Sequence, residues 1–131
     1  MAQRQFLQAN DRQKERAYSP AVKVTGGTTI YLAGYGAFQD EAGKSYAGDF
    51  DAQVRLSFGR MRETLEKAGG KLDDIVTMTV FITDMANGTR FTQLRKDFFQ
   101  EGRYPASALI GIKDLARPEM MVEIQAIAVV D

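Results

Sequence analysis

Apolar positions along this chain switch between two spacings, and the switches divide it into elements. Phe50, Val54, Phe58, Met61 and Leu65 recur every three or four residues. An α-helix turns once in roughly 3.6 residues, so these side chains share one helical face. Asp49 or Asp51 supplies the cap, Gly69-Gly70 the stop, and Arg55, Arg62, Glu63, Glu66 and Lys67 the solvated side. Phe91, Leu94, Phe98 and Phe99 repeat the helical spacing up to Gly102 and predict a second helix whose stripe is core.

Elsewhere the pattern is extended. Ile75 to Thr83 is dense in the β-branched and aromatic residues that suit strands, and Asp84 with Asn87-Gly88 ends it. Ala21–Thr25 and Thr28–Ala33 flank Gly26-Gly27, which predicts a two-residue hairpin. Gly34 and Gly36 bracket Tyr35 and predict a bulge or a close backbone approach. Ser107–Ile112 and Met120–Val130 are further strands, separated by Lys113–Glu119, where Pro118 prevents one continuous central strand. Arg4–Gln8 reads as a short edge strand, and Asn10–Arg16 is polar enough to read as a loop.

The resulting order is β-β-β-α-β-α-β-β, an α+β fold with two helices on one face of a mixed sheet. The last strand says what happens to the other face. Met120, Val122, Ile124, Ala126, Ala128 and Val130 alternate with Met121, Glu123, Gln125, Ile127 and Val129. One side is apolar throughout. The other is mixed, and the apolar surface it leaves uncovered predicts self-association.

Composition narrows the chemistry. A length of 131 residues with 44% apolar composition fits one domain spanning 1–131, with residues 1–17 as a peripheral strand and loop. There is no Cys and no His. Disulfides, thiolate and imidazole nucleophiles, the Ser-His-Asp triad and nearly every zinc site are thereby excluded. No EF-hand-like spacing suggests a hard cation, so neither a metal nor a cofactor is expected. The 17 basic and 17 acidic side chains cancel, which removes the long-range field that draws proteins to nucleic acid or anionic membranes. No run of apolar residues has the length of a membrane span or a secretory signal, and the cytoplasm is the expected location.

Several strings, in order, resemble the RidA/YjgF/UK114 family. They are Gln53-Val54-Arg55-Leu56-Ser57-Phe58, Leu65-Glu66-Lys67-Ala68-Gly69, Asp74-Ile75-Val76 and Thr79-Val80-Phe81-Ile82-Thr83-Asp84. Tyr104-Pro105-Ala106-Ser107 and Val122-Glu123-Ile124-Gln125-Ala126-Ile127-Ala128-Val129 echo the C-terminal signature. The resemblance runs from about Tyr18 to Val130. It implies a chorismate-mutase-like fold of the bacillus type and a homotrimer packed sheet against sheet, with a small-molecule pocket at each subunit interface. The implied activity is hydrolysis of small enamines or imines, 2-imino acids or aminomuconate-like compounds, by a positioned water.

The resemblance transfers the site unevenly. Glu123 matches the glutamate that places or deprotonates water, and its bland alternative is an inter-subunit ion pair with Arg103 or Arg117. Tyr18 matches a tyrosine near the start of the family's domain. Ala33 and Tyr35 replace a Ser and a Gln around Gly34, and Thr92 stands where the deaminases have Asn. Ser107 occupies the place of the arginine that grips the substrate carboxylate. A hydroxyl has neither the charge nor the donor fork of a guanidinium, so Ser107 reads either as a pocket hydroxyl contacting a ligand oxygen or as a local bond to backbone. Arg60, Arg103 and Arg117 are the candidates for a replacement cation.

Two other functions compete. One is a small-ligand-binding or regulatory trimer that has lost catalysis, as Ser107 suggests. The other, endoribonuclease activity, is disfavoured by neutral charge, absent His and the lack of an interleaved basic and aromatic surface.

Overall fold

Besides two short 3-10 turns, six strands and three α-helices make up the computed structural model, which describes residues 1–131. In chain order they are β1 (Gln3–Phe6), α1 (Asp11–Glu15), β2 (Val22–Thr25), β3 (Thr28–Tyr31), α2 (Phe50–Lys67), β4 (Ile75–Ile82), α3 (Gly88–Arg95), β5 (Ala106–Gly111) and β6 (Val122–Val130). The main sheet has the order β3-β6-β4-β5. Its β3–β6 and β4–β6 pairs are antiparallel, and β4–β5 is parallel. A parallel pair needs a crossover, which α3 provides. The α+β mixed sheet expected from the sequence is therefore present.

Helix α2 packs its predicted stripe inward. Val54, Phe58, Met61 and Leu65 meet Met78, Val80 and Ile82 of β4 and Val122, Ile124, Ala126 and Ala128 of β6 in one core. A bulge between Ile75 and Thr77 shifts the phase of β4, so Ile75 and then Met78 both point into that core. Phe58 stacks between Phe91 and Phe98, with ring centroids 6.2 and 4.5 Å away. Full burial of such a side chain contributes about 2–3 kcal/mol.

Three expectations are corrected. The predicted loop Asn10–Arg16 contains α1, where Asn10 and Gln13 form a reciprocal capping box. No residue of α1 is buried, so it has no apolar periodicity to reveal it. Gly26 and Gly27 do turn the chain, at φ of 74° and 77°, but β2 and β3 are not partners. Strand β2 pairs with β1 in a separate two-stranded sheet, and β3 pairs with β6. Finally, the second long helix ends at Arg95, short of Gly102. The amides of Lys96, Asp97 and Phe98 bond only three residues back, and Phe98 and Phe99 reach the core from that tightened segment.

The face of the sheet turned away from the helices is open. Tyr31 is 78% exposed and Ile110 41% exposed there, and Thr79, Gln125 and Ile127 share the surface by register. Val129 is an exception among the mixed positions of β6. It is buried under the Gly26-Gly27 turn, where a Cβ on Gly27 would lie 2.8 Å from its Cγ1. Arg4 fastens the small sheet to this end through an ion pair with Asp74 at 2.9 Å and a hydrogen bond to the Val129 carbonyl.

Candidate active site

Glu123 lies on β6 opposite Phe81 of β4, on the open side of the sheet. The backbone at Gly34 crosses so close that a Cβ there would sit 2.6 Å from Oε2 of Glu123. The close approach predicted at this glycine is present, and the carboxylate is what it accommodates. Glu123 has no ion pair within the chain. Ala33 and Gly34 beside it are exposed. Tyr35 does not join them: its backbone bridges Ile124, while its hydroxyl bonds Thr64 of α2 at 2.6 Å.

Tyr18, Thr92 and Ser107 gather elsewhere, around a hollow of about 330 Å³ that Arg12, Arg16 and Arg95 also line, with Met85 and Leu109 as its apolar wall. Ala17 directs the chain here. It is fully buried at the end of α1 with φ of 61°, a left-handed conformation uncommon for alanine. The Ser19 amide then donates to the Pro105 carbonyl at 3.0 Å, and Ser19 bridges Ala106 in parallel. Tyr18 and Ser107 are neighbours for that reason. Thr92, 3% exposed, spends its hydroxyl on the Thr89 carbonyl at 2.7 Å.

The floor of the hollow is Arg95, which sequence reasoning missed. It is 2% exposed and sits at the last turn of α3. Its Nη1 donates to Ser107 Oγ at 2.7 Å and its Nη2 to the Arg16 carbonyl at 2.8 Å, while Nε has no partner. The guanidinium also stacks over Phe91, 5.1 Å from the ring centroid. Burial pushes its pKa down to about 10, nearby Arg16 acts in the same direction, and Tyr18 and Tyr104 act against it. Burial likewise raises the Tyr104 phenol, with Glu101 adding to that effect. A signal for Arg95 does exist in the sequence: it falls four residues after Phe91, on the apolar stripe of α3 rather than on its solvated side.

None of the arginines first considered as replacement cations lines this hollow. Arg103 lies over Phe6 at 4.8 Å, Arg60 donates to the Gln39 carbonyl at 2.9 Å, and Arg117 pairs with Glu119 at 3.6 Å. A larger hollow of about 610 Å³ runs along the outer side of α2 between Asp40, Arg60 and Glu63, and of the residues considered for the site only Arg60 lines it.

The two predicted groups occupy opposite faces of the sheet. Ser107 pairs with core-facing Met78, whereas Glu123 pairs with Phe81 on the open side. Strand β4 lies between their strands, and the two positions are three residues apart along it, so roughly 10 Å across the sheet and roughly 10 Å along it separate them.

The family described as endoribonuclease L-PSP matches residues 9–130. The chain belongs to the RidA/YjgF family. A RutC family protein of Pyrococcus abyssi is 30% identical over 111 residues, which cover 85% of this chain and 84% of that protein. A 2-iminobutanoate/2-iminopropanoate deaminase of Dermatophagoides farinae is 29% identical over 87% of this chain and 86% of its own. Among solved structures, a protein of unknown function of the conserved Rid protein family from Yersinia pestis superposes with a TM-score of 0.86. Its 24% identity, over 97% of this chain and 98% of that one, makes this a likeness of fold. In this member of the RidA/YjgF family, the guanidinium nearest Ser107 comes from α3. No helix is long and apolar enough to cross a membrane.

Proposed function

We propose that this chain is a hydrolase of small enamines and 2-imino acids, working as a homotrimer. Each cleft would join Glu123, Ala33 and Gly34 of one subunit to Tyr18, Thr92, Ser107 and Arg95 of the next. The observation that carries this reading is the division of the site residues between opposite faces of the sheet, since a second chain is needed to close the gap. The open face with Tyr31, Ile110 and Ile127 is the surface for that packing. The 29% identical deaminase supports the choice of substrate class.

The chemistry balances with water alone. An enamine first tautomerises to the imine, gaining a proton at carbon and giving up one from nitrogen. Water then adds its oxygen to the C=N carbon, and one of its protons passes through the Glu123 carboxylate to nitrogen. In the resulting carbinolamine the hydroxyl proton passes from oxygen to nitrogen, again through the carboxylate, as the C–N bond breaks; ammonia leaves and a 2-keto acid remains. Carboxylate capture by a guanidinium would fix the imine carbon near that water.

The test is release of ammonia and keto acid from 2-iminopropanoate and 2-iminobutanoate generated in place by an amino-acid oxidase. Turnover above buffer that collapses in Glu123→Gln is expected, together with a trimer by sedimentation. Buffer-level turnover by a well-folded trimer would favour the ligand-binding reading that Ser107 raises, and a stable monomer would remove the shared site altogether.

A further inference from the structure

The hollow beside Ser107 holds more positive charge than one carboxylate requires. Arg12, Arg16 and Arg95 line it, and no Asp or Glu does. Acids and bases number 17 each over the whole chain, so this lining is not a reflection of composition. None of the three arginines belongs to an ion pair; the chain's bridges are Arg4–Asp74, Arg90–Asp51 and Arg117–Glu119. Arg95 is nearly fully buried, bonded only to neutral oxygens, and has an unsatisfied Nε. A buried cation in those surroundings is costly unless an anion completes it.

The three differ in depth. Arg95 forms the floor, Arg16 is half-buried, and Arg12 is exposed at the rim. Positive charge therefore stands at two levels of one small cavity. A single carboxylate satisfies the floor and leaves the upper level unused. Even a Glu123 contributed by an adjoining subunit would leave one negative charge facing three positive ones.

We infer that the hollow selects a 2-imino dicarboxylic acid or its enamine tautomer, with Arg95 gripping one carboxylate and Arg12 and Arg16 receiving the other. The choice of an imine rests on the function proposed above; the preference for two acid groups rests only on the arginines. Bidentate guanidinium–carboxylate geometry gives the floor its orientation, and the rim discriminates by charge. An acid group at each end of a short carbon chain matches that division.

Calorimetric titration of the wild-type protein with stable analogues tests the binding directly. Succinate and 2-oxoglutarate should bind about tenfold or more tightly than propanoate and 2-oxobutanoate. Arg12→Ala with Arg16→Ala should bring the diacids down to the level of the monoacids. Arg95→Met should lose both classes while the ligand-free protein melts near the wild-type temperature, an outcome that a purely structural brace does not allow. Should Arg95→Met fail to fold, the wild-type comparison of diacid with monoacid still decides. Equal affinity for the two classes, or no binding of either, overturns the inference. Turnover separates this claim from the preceding one. Diacid binding without hydrolysis of any imine would remove the proposed reaction and leave the selectivity standing. Hydrolysis of 2-iminobutanoate with no preference for 2-iminosuccinate would do the reverse.

Discussion

Gly34 packs its backbone against the Glu123 carboxylate so tightly that a methyl group at position 34 would lie 2.6 Å from Oε2 and 2.9 Å from Cδ. The obstructed atoms are the far end of a flexible side chain, so an added Cβ is accommodated by swinging the carboxylate. Gly34→Ala should therefore cost less than about 1 kcal/mol of stability. On the proposed function Glu123 places the attacking water, so displacing it should lower turnover of a 2-imino acid by about 10²-fold. Thermal melts beside steady-state rates check both halves; a large loss of stability with unchanged rate would mean the carboxylate is not what the glycine accommodates.

Gln53 offers a prediction at the entry to β6. Its wholly buried amide donates from Nε2 to the carbonyls of Tyr46 and Glu119, at 3.0 and 2.9 Å, and accepts from the Met121 amide at 2.8 Å. Start of helix, preceding loop and start of β6 are thereby locked together. Gln53→Glu keeps the acceptor and loses the donors, leaving carbonyls unpaired beside a buried charge, at about 3 kcal/mol near neutral pH. The new carboxyl would titrate above its unfolded value of about 4.3 when folded. The damage is then smallest below that unfolded value and grows as pH rises through the folded one. Urea melts at about pH 4 and about pH 8 should show the widening gap; an equal loss at both would point to shape rather than charge.

Arg95 carries its own pH signature. Burial brings the guanidinium down from its ordinary value to about 10, with Arg16 reinforcing the shift and Tyr18 and Tyr104 opposing it; Arg12 stands further out on the same hollow. For a base lowered in the folded state, the cost of the buried charge is fully present below about pH 10 and is relieved as pH climbs toward the unfolded value. A bound carboxylate removes that cost only while Arg95 is charged. Succinate should raise the urea midpoint equally at about pH 7 and about pH 9, and lose most of its effect by about pH 11. An undiminished effect at the highest pH would assign the anion to other groups.

The reach of the sequence follows from which forces are local. Helix α2 was legible because Phe50, Val54, Phe58, Met61 and Leu65 all had to face one core, and all of them do. Helix α1 was not, because capping rather than burial holds it. The turn at Gly26-Gly27 was readable from backbone freedom alone, but strand partners are chosen by distant contacts, and β2 and β3 found different ones. At the site, Glu123 stood out as a carboxylate in an alternating apolar strand. Arg95 did not, since an arginine near a helix C-terminus is an ordinary favourable placement. Its place four residues after Phe91 marks it as inward-facing, but its bond to Ser107 and the register that turns Ser107 and Glu123 away from each other are set by tertiary contacts.

The pairing of Arg95 with Ser107 makes position 107 a poor place to add a guanidinium by itself. Ser107 Oγ already accepts from Arg95 Nη1 at 2.7 Å. In Ser107→Arg two cations would share one partly buried space, and a loss of about 2 kcal/mol is expected rather than improved turnover. Combining Ser107→Arg with Arg95→Ser moves the guanidinium from α3 to β5 without changing the number of charges. That double variant should recover to within about 1 kcal/mol of the parent, so the two positions should couple by about 2 kcal/mol in a double-mutant cycle. Turnover of 2-iminobutanoate should recover with it, since one floor cation is again available. Additive effects of the two substitutions would mean that an arginine at 107 finds room away from Arg95, and the two side chains would then not be alternative suppliers of a single charge.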